Sequence, residues 1–195
     1  MLNEALAVGH ELEDPLWRGW ALCFMAGVCL EQGRLEEAGD LARKSLSLAQ
    51  AAECSRDEAV VLDALGVIAL EQGDVDGARS LFSDSIRTFE QVGERCDVGL
   101  PITSFAWLAA RQGQPDRAVR LFAAGEAVRG PTLRWGRWTK RRREILLSNA
   151  RAALGDETFE RAWAEGKAMT VEQAVEYALQ DAGSGPDSEL LRPVR

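Results

Sequence analysis

The chain has 195 residues, a formal net charge of -8 at pH 7 and an apolar content of 46%. The apolar content excludes a disordered polymer, and the acidic balance argues against wholesale binding to nucleic acid or to an anionic membrane, since both attract an excess of Lys and Arg. The sequence shows neither a secretory signal pattern nor a stretch of 18 apolar residues, so we expect a cytoplasmic protein without membrane contact.

Residues 1–15 carry the apolar pattern of a helix, and we interpret them as the remnant of a preceding repeat. The chain would then begin in mid-repeat and expose an uncovered face. Leu16, Trp17 and Trp20 would lie on that face, which offers a route to homo-oligomerisation.

A repeat with a period of 40 residues follows. The same four-residue pattern ends at Gly33, Gly73 and Gly113, and alanine recurs at positions 38, 78 and 118. Apolar residues lie at helical spacing on both sides of each glycine, which predicts two amphipathic helices joined by a short turn. The predicted first helices are residues 16–32, 57–72 and 97–112, and the predicted second helices are residues 35–53, 75–92 and 115–129.

Turn chemistry and residue size agree with these hairpins. Each glycine suits a helix end with left-handed backbone, and Asp74 and Pro115 suit the start of the next helix. Small residues at positions 26, 66 and 106 and alanine at 38, 78 and 118 predict a close approach of the paired helices.

After Gly130 the period is lost, and residues 131–181 predict capping helices. We expect Asp156 to cap one of them, while Thr170 and Gln173 form the pattern of a capping box. Apolar residues such as Phe159 and Trp163 would close the open end of the array, as a terminal unit must. Residues 182–195 are rich in Gly, Ser and Pro and predict a flexible tail.

The second repeat resembles the tetratricopeptide repeat in its large and small residues, at Leu62, Leu65, Gly66, Gly73, Ala78 and Phe82. The resemblance extends over residues 16–130 as three repeats, although the usual repeat of that family has about 34 residues. It implies an all-α, right-handed α-solenoid of about three helical hairpins with a C-terminal helical cap. It also implies a concave groove along the first helices that binds a protein or peptide partner, or a small effector.

The family's groove positions, carried over by register, are Trp20, Phe24, Glu31, Asp63, Val67, Glu71, Thr103, Trp107 and Arg111, with Cys23, Gly27, Val60, Ala64, Leu100 and Ser104 between them. Trp20, Phe24 and Trp107 are candidate anchors because aromatic residues dominate binding hot spots. Trp107→Ala is therefore expected to weaken partner binding and leave helicity intact. Alternatively, Trp17, Trp20 and Phe24 pack against the preceding repeat, and Trp107 is likewise a packing residue.

Residues 150–180 resemble the end of the repeat region in bacterial transcription regulators of the LuxR/MalT-like, STAND ATPase class. In that class the repeats form a sensor or partner-binding arm for a nucleotide-binding switch and a helix-turn-helix module. The residues of this chain include neither a phosphate-binding loop nor a helix-turn-helix pattern, so neither ATP hydrolysis nor DNA binding is carried over to them.

One segment departs from the acidic balance and interleaves basic residues with Trp135 and Trp138. Its basic residues are Arg134, Arg137, Lys140, Arg141, Arg142 and Arg143. Such a segment can stack on bases and contact phosphates. Alternatively, it is a helix start whose indoles pack on the third repeat and whose charges stay solvated or pair with glutamate.

No pattern of catalytic residues occurs, and His10 and the four cysteines form no metal-ligand spacing, so we expect neither an enzyme nor a cofactor or metal. The sequence indicates a non-catalytic interaction module, the sensor or partner-binding arm of a bacterial regulator, with an associated NTPase or helix-turn-helix module as a possible partner. The alternatives are a stand-alone adaptor or self-associating scaffold, or nucleic-acid binding through residues 134–143.

Overall fold

The structure, a computed structural model, describes residues 14–130 and 137–180. This part of the chain forms nine α-helices and no strand. They are α1 Pro15–Glu31, α2 Leu35–Ala51, α3 Ser55–Gln72, α4 Val75–Gln91, α5 Gly99–Arg111, α6 Pro115–Arg129, α7 Arg137–Leu154, α8 Asp156–Ala168 and α9 Val171–Leu179. None of these helices is long and apolar enough to cross a membrane. The predicted repeat remnant at residues 1–13 and the predicted tail at residues 182–195 lie outside the described residues.

The chain divides into two compact units between Gly93 and Glu94. Unit 1 contains the hairpins α1/α2 and α3/α4, and unit 2 contains the hairpin α5/α6 together with α7, α8 and α9. The six helices predicted from the repeat are all present, and their bounds differ from the prediction by at most two residues. The all-α prediction and the predicted hairpins are confirmed.

The turn inside each hairpin has the same hydrogen bonds three times over. The backbone N–H of the residue after each glycine donates to a carbonyl five residues back, over 2.9 Å from Arg34 to Cys29, 2.9 Å from Asp74 to Ala69 and 3.0 Å from Gln114 to Ala109. Each glycine has a positive φ, of 74°, 87° and 73° at Gly33, Gly73 and Gly113. Because a side chain strains this left-handed conformation, the recurring glycine is explained by the turn itself.

Capping residues set several helix starts. The Asp74 carboxylate accepts a hydrogen bond from the Gly77 amide at 2.9 Å, and Thr170 and Gln173 form the predicted reciprocal capping box. The prediction that Asp156 caps a helix is wrong. Gly155 is the cap, and Asp156 is the first helical residue, whose carboxylate accepts a hydrogen bond from Arg151 at 2.8 Å.

In unit 1 the paired helices approach closely at the predicted small residues. Ala26, Ala38 and Ala78 are at most 1% exposed. A Cβ atom at Gly66 would lie 2.5 Å from Cε1 of the fully buried Phe82, so this ring occupies the space that glycine leaves open. The small residue is therefore a packing requirement of the α3/α4 hairpin.

A buried hydrogen bond also repeats with the 40-residue period, a feature that sequence reasoning missed. Ser45 on α2 donates to the carbonyl of Gly19 on α1, and Ser85 on α4 donates to the carbonyl of Ala59 on α3, both at 2.7 Å. The third repeat has Gly125 at this position, and a Cβ atom there would lie 2.9 Å from the Gly99 carbonyl oxygen. In that repeat the helices meet backbone to backbone.

Ser85→Ala is expected to lower the free energy of unfolding by about 1 kcal/mol, because it removes a buried hydrogen bond between two helices. Ser83→Ala on the same helix is the matched control. Its hydroxyl donates only to the Arg79 carbonyl one turn back, so its loss should change stability by less than about 0.5 kcal/mol. Urea unfolding of both variants, monitored by circular dichroism, measures their free energies of unfolding. Equal midpoints would contradict a stabilising role for the inter-helix bond.

In unit 2 the second helix of the third hairpin is the centre of packing. Helix α6 packs most extensively against α5 and α8, and also contacts α7 and α9. Phe159 of α8 lies in a small core with Val119 of α6 and Ala150 of α7. The predicted apolar face of the C-terminal helices therefore packs on the third hairpin. Helices α7 and α8 contact each other much less than the helices of a hairpin do, and a crevice of about 350 Å³ lies between them.

Two arginines hold α9 in unit 2, one at each of its ends. Nη2 of Arg117 donates to the carbonyls of Tyr177 at 2.7 Å and Gln180 at 2.8 Å, where a helix presents unsatisfied acceptors. Arg95 pairs with Glu172 in the first turn of α9. The pKa of Glu172 is lowered, first by its own backbone amide and then by Arg95, so this contact is present at neutral pH and is lost as the pH falls through that lowered pKa.

Candidate partner-binding face

One stripe of side chains along α1 is open to solvent although it is largely apolar. Trp17 and Phe24 are each 64% exposed, Gly27 and Glu31 are exposed, and Trp20 is half-buried between them. Spacings of three and four residues place all five on one side of the helix. We call these five residues the α1 face. Exposed clusters of this kind mark interaction sites more often than isolated apolar residues do.

Trp20 is held in place from the neighbouring helix. Its indole Nε1 donates to Oδ2 of Asp57 on α3 at 3.0 Å, and its ring centre lies 6.1 Å from that of Phe24. Leu16, Cys23, Val60 and Val61 lie around Trp20 in a narrow apolar recess between α1, α2 and α3. The hydrogen bond fixes an aromatic anchor in one orientation, which lowers the entropy that binding must overcome.

The structure brings together only some of the predicted groove residues of unit 1. Trp20, Phe24 and Glu31 share the α1 face, whereas Asp63 and Val67 on α3 are buried at 5% and 4% exposure. Glu71 at the end of α3 is half-buried. The accessible part of the predicted site in unit 1 is therefore mainly α1, with Trp17 as an additional member.

Cys23 lies behind the α1 face, and its thiol is held protonated. Burial is the largest cause and the nearby carboxylates of Asp63 and Asp57 act in the same direction, and together they raise its pKa to about 11. Cys29 is buried in the core of unit 1 and its pKa is also raised, first by burial. Cys29 is thus a small apolar residue of the core, whereas Cys96 is exposed.

Thiol labelling at pH 8 is expected to modify Cys96 first and Cys23 far more slowly. A pKa of about 11 against the ordinary value of 9.0 lowers the thiolate fraction of Cys23 roughly 100-fold, and the thiolate is the reactive form. Mass spectrometry of peptides from protein labelled for increasing times measures both rates. Cys96→Ser should remove the fast phase, and denaturant should equalise the remaining sites. Rapid labelling of folded Cys23 would contradict the buried environment.

In unit 2 the predicted groove residues are covered. Trp107 is 3% exposed, and the guanidinium of Arg142 on α7 lies 4.8 Å from the centre of its ring. Thr103 is buried and its hydroxyl donates to the carbonyls of Gly99 at 3.0 Å and Leu100 at 2.6 Å, while Arg111 is half-buried. Trp107 is therefore a packing residue of unit 2, and we expect its replacement to destabilise this unit, in contrast to the prediction that helicity stays intact.

The predicted basic patch divides in the structure. Arg142 stacks on Trp107, and Nε of Arg143 donates to Glu126 on α6 at 2.7 Å, which is the pairing with glutamate that the alternative interpretation described. Lys140 and Arg141 are exposed. Arg134 and the side chain of Arg137 lie outside the described residues. Two of the four patch side chains that the structure describes therefore serve packing inside unit 2.

Charge is distributed unevenly between the two units, which the net charge of the whole chain concealed. Residues 14–93 contain 14 acidic and 7 basic residues, a net charge of -7. Residues 94–180 contain 11 acidic and 14 basic residues, a net charge of +3. The acidity of the protein therefore belongs mostly to the unit that carries the α1 face.

Comparison with known proteins agrees with the hairpin geometry. The family model for the tetratricopeptide repeat matches residues 17–91, which span α1 to α4. Residues 17–91 are therefore similar to tetratricopeptide repeats. The third hairpin repeats their turn and spacing.

Relatives provisionally named as HTH-type transcriptional regulators occur in Mycobacterium bovis and in two strains of Mycobacterium tuberculosis. Each is 37% identical to this chain over 92 residues, which are 46% of the chain and 10% of the relative. The chain thus spans a small fraction of the length of the curated relatives it matches. No solved structure matches it significantly.

Proposed function

We propose that this chain is a non-catalytic tetratricopeptide interaction module that serves as the sensor or partner-binding arm of a cytoplasmic transcription regulator. The observation that carries the proposal is the open α1 face, where Trp17 and Phe24 are exposed beside the anchored Trp20. The tetratricopeptide match supports protein binding, and the names of the mycobacterial relatives support a regulator.

The module acts by binding. Occupancy of the α1 face stabilises one arrangement of the regulator over another, and it shifts that equilibrium only by the difference between the partner's affinities for the two arrangements. A difference of about 1–3 kcal/mol corresponds to a shift of roughly 5–150-fold, the range typical of allosteric coupling. The associated switch would be a nucleotide-binding or helix-turn-helix module.

Reading the native transcript on both sides of this frame tests the link to regulation. Continuity with a nucleotide-binding or helix-turn-helix segment is the expected result. A separate message with no such neighbour would contradict the regulator arm and favour a stand-alone adaptor.

A second experiment tests the α1 face in the native gene. The double variant Trp17→Ala/Phe24→Ala is expected to change transcript levels in the same direction as deletion of the gene. Val92→Ala is the control, because Val92 is another exposed apolar residue of unit 1, at 41% exposure, that follows α4 and lies away from the α1 face. A transcript profile that matches the wild type in the double variant would exclude this face as the binding site.

A further inference from the structure

We propose that the α1 face docks a basic amphipathic segment of a partner protein, one that presents apolar side chains beside Lys or Arg. This inference rests on the proposed function and specifies the chemistry of the partner. It combines two observations, the exposed aromatic residues of α1 and the acidic charge around them.

The geometry supplies the apolar half of the site. Trp17, Trp20 and Phe24 lie within two turns of α1, and the ring of Trp20 is fixed by its hydrogen bond to Asp57. Apolar residues of a partner helix recur at the same three- and four-residue spacing, so they can align with these rings.

The charges around the face supply the other half. Glu31 is the ionisable residue of the α1 face and is exposed, and Asp57 lies beside Trp20, with Nη1 of Arg56 3.9 Å from its Oδ1. The other acidic groove positions of unit 1 are buried at Asp63 and half-buried at Glu71. Residues 14–93 as a whole have a net charge of -7. A basic segment is attracted by this field and an acidic one is repelled, which sets the orientation and the partner class.

The same charges exclude the competing ligands at this site. Nucleic acid and acidic peptides bring negative charge towards a face that itself contains the exposed Glu31. A second copy of the chain is another candidate occupant, because residues 94–180 have a net positive charge and Lys140 and Arg141 are exposed. The peptide experiment and a sedimentation experiment separate these occupants.

The probe is a synthetic amphipathic peptide of Leu and Lys at helical spacing, compared with peptides in which Gln or Glu replaces every Lys. Fluorescence anisotropy of labelled peptide measures its affinity for the full chain. We expect the Lys peptide to bind most tightly and the Glu peptide to bind least. Added salt should weaken binding of the Lys peptide and leave the affinity of the Gln peptide nearly unchanged.

Protein variants assign the binding to the face. Phe24→Ala is expected to weaken the Lys peptide roughly tenfold or more, as loss of a hot-spot residue does, and Val92→Ala should leave it unchanged. Glu31→Lys should weaken binding of the Lys peptide and strengthen binding of the Glu peptide. Glu90→Lys, an exposed glutamate near the end of α4, makes the same charge change away from the face.

The outcomes distinguish failure of the basic-partner inference from failure of the α1 face as a binding site. Equal affinity for the Lys and Gln peptides, with both lost in Phe24→Ala, would overturn the basic partner and leave the face as a binding site. Failure of all three peptides to bind, or binding that Phe24→Ala does not change, would contradict both proposals. Concentration-dependent sedimentation that Trp17→Ala abolishes would assign the face to a second copy and would overturn the inference.

Discussion

Trp107→Ala is expected to lower the free energy of unfolding by about 3–5 kcal/mol, the usual cost of truncating a buried aromatic residue. The indole is 3% exposed, in a helix of which every residue from Pro101 to Ala110 is buried. Arg142 covers the ring, so the substitution also removes a cation–π contact. Chemical denaturation followed by far-ultraviolet circular dichroism measures the loss.

Trp17→Ala is the matched control, because it removes the same side chain from a site that is 64% exposed. Its effect on stability should stay within about 0.5 kcal/mol. If the two variants unfold at the same denaturant concentration, this result contradicts the packing of α7 on α5. If they differ as expected, weaker partner binding in Trp107→Ala would report unfolding, whereas weaker binding in Trp17→Ala would report the α1 face.

The hairpins could be predicted from the sequence because their determinants are local and recur three times. Gly33, Gly73 and Gly113 each specify a left-handed turn, and the residues around them carry helical periodicity. The same period located the small residue at Gly66. Because of this repetition, the bounds of α1 to α6 and the packing within the hairpins could be predicted from the sequence.

The candidate site was only partly predictable because exposure depends on contacts made far along the chain. Register placed Phe24 and Trp107 in the predicted groove of the first and the third repeat, yet the first is exposed and the second is covered by Arg142. The covering helix follows a segment without periodicity, so no local pattern indicated where it would pack. Close contacts at Gly99 and Gly125 were missed for the same reason, since each depends on the backbone of the facing helix.

A third close contact, at Gly166, was also not predicted from the sequence. Its substitution is expected to have a large effect on stability. It lies on α8 where that helix crosses α6, and a Cβ atom there would lie 2.3 Å from the Arg120 carbonyl oxygen and 2.9 Å from Cβ of Ala123. Because the obstructing atom belongs to a helix backbone, relief requires α8 to move away from α6. Gly166→Ala is therefore expected to lower the free energy of unfolding by about 1–3 kcal/mol despite the better helix propensity of alanine.

Gly27→Ala isolates the propensity effect, since Gly27 is also inside a helix but has no neighbouring atom within 4 Å of the added methyl group. That variant should raise the free energy of unfolding by about 0.5–1 kcal/mol. The same chemical change is thus expected to have opposite signs at the two positions, and thermal and urea unfolding of both variants measures the difference. Stabilisation by Gly166→Ala would show that α8 does not rest on α6 at this distance. Destabilisation by Gly166→Ala alone would show that unit 2 depends on helix contacts that the 40-residue period does not encode.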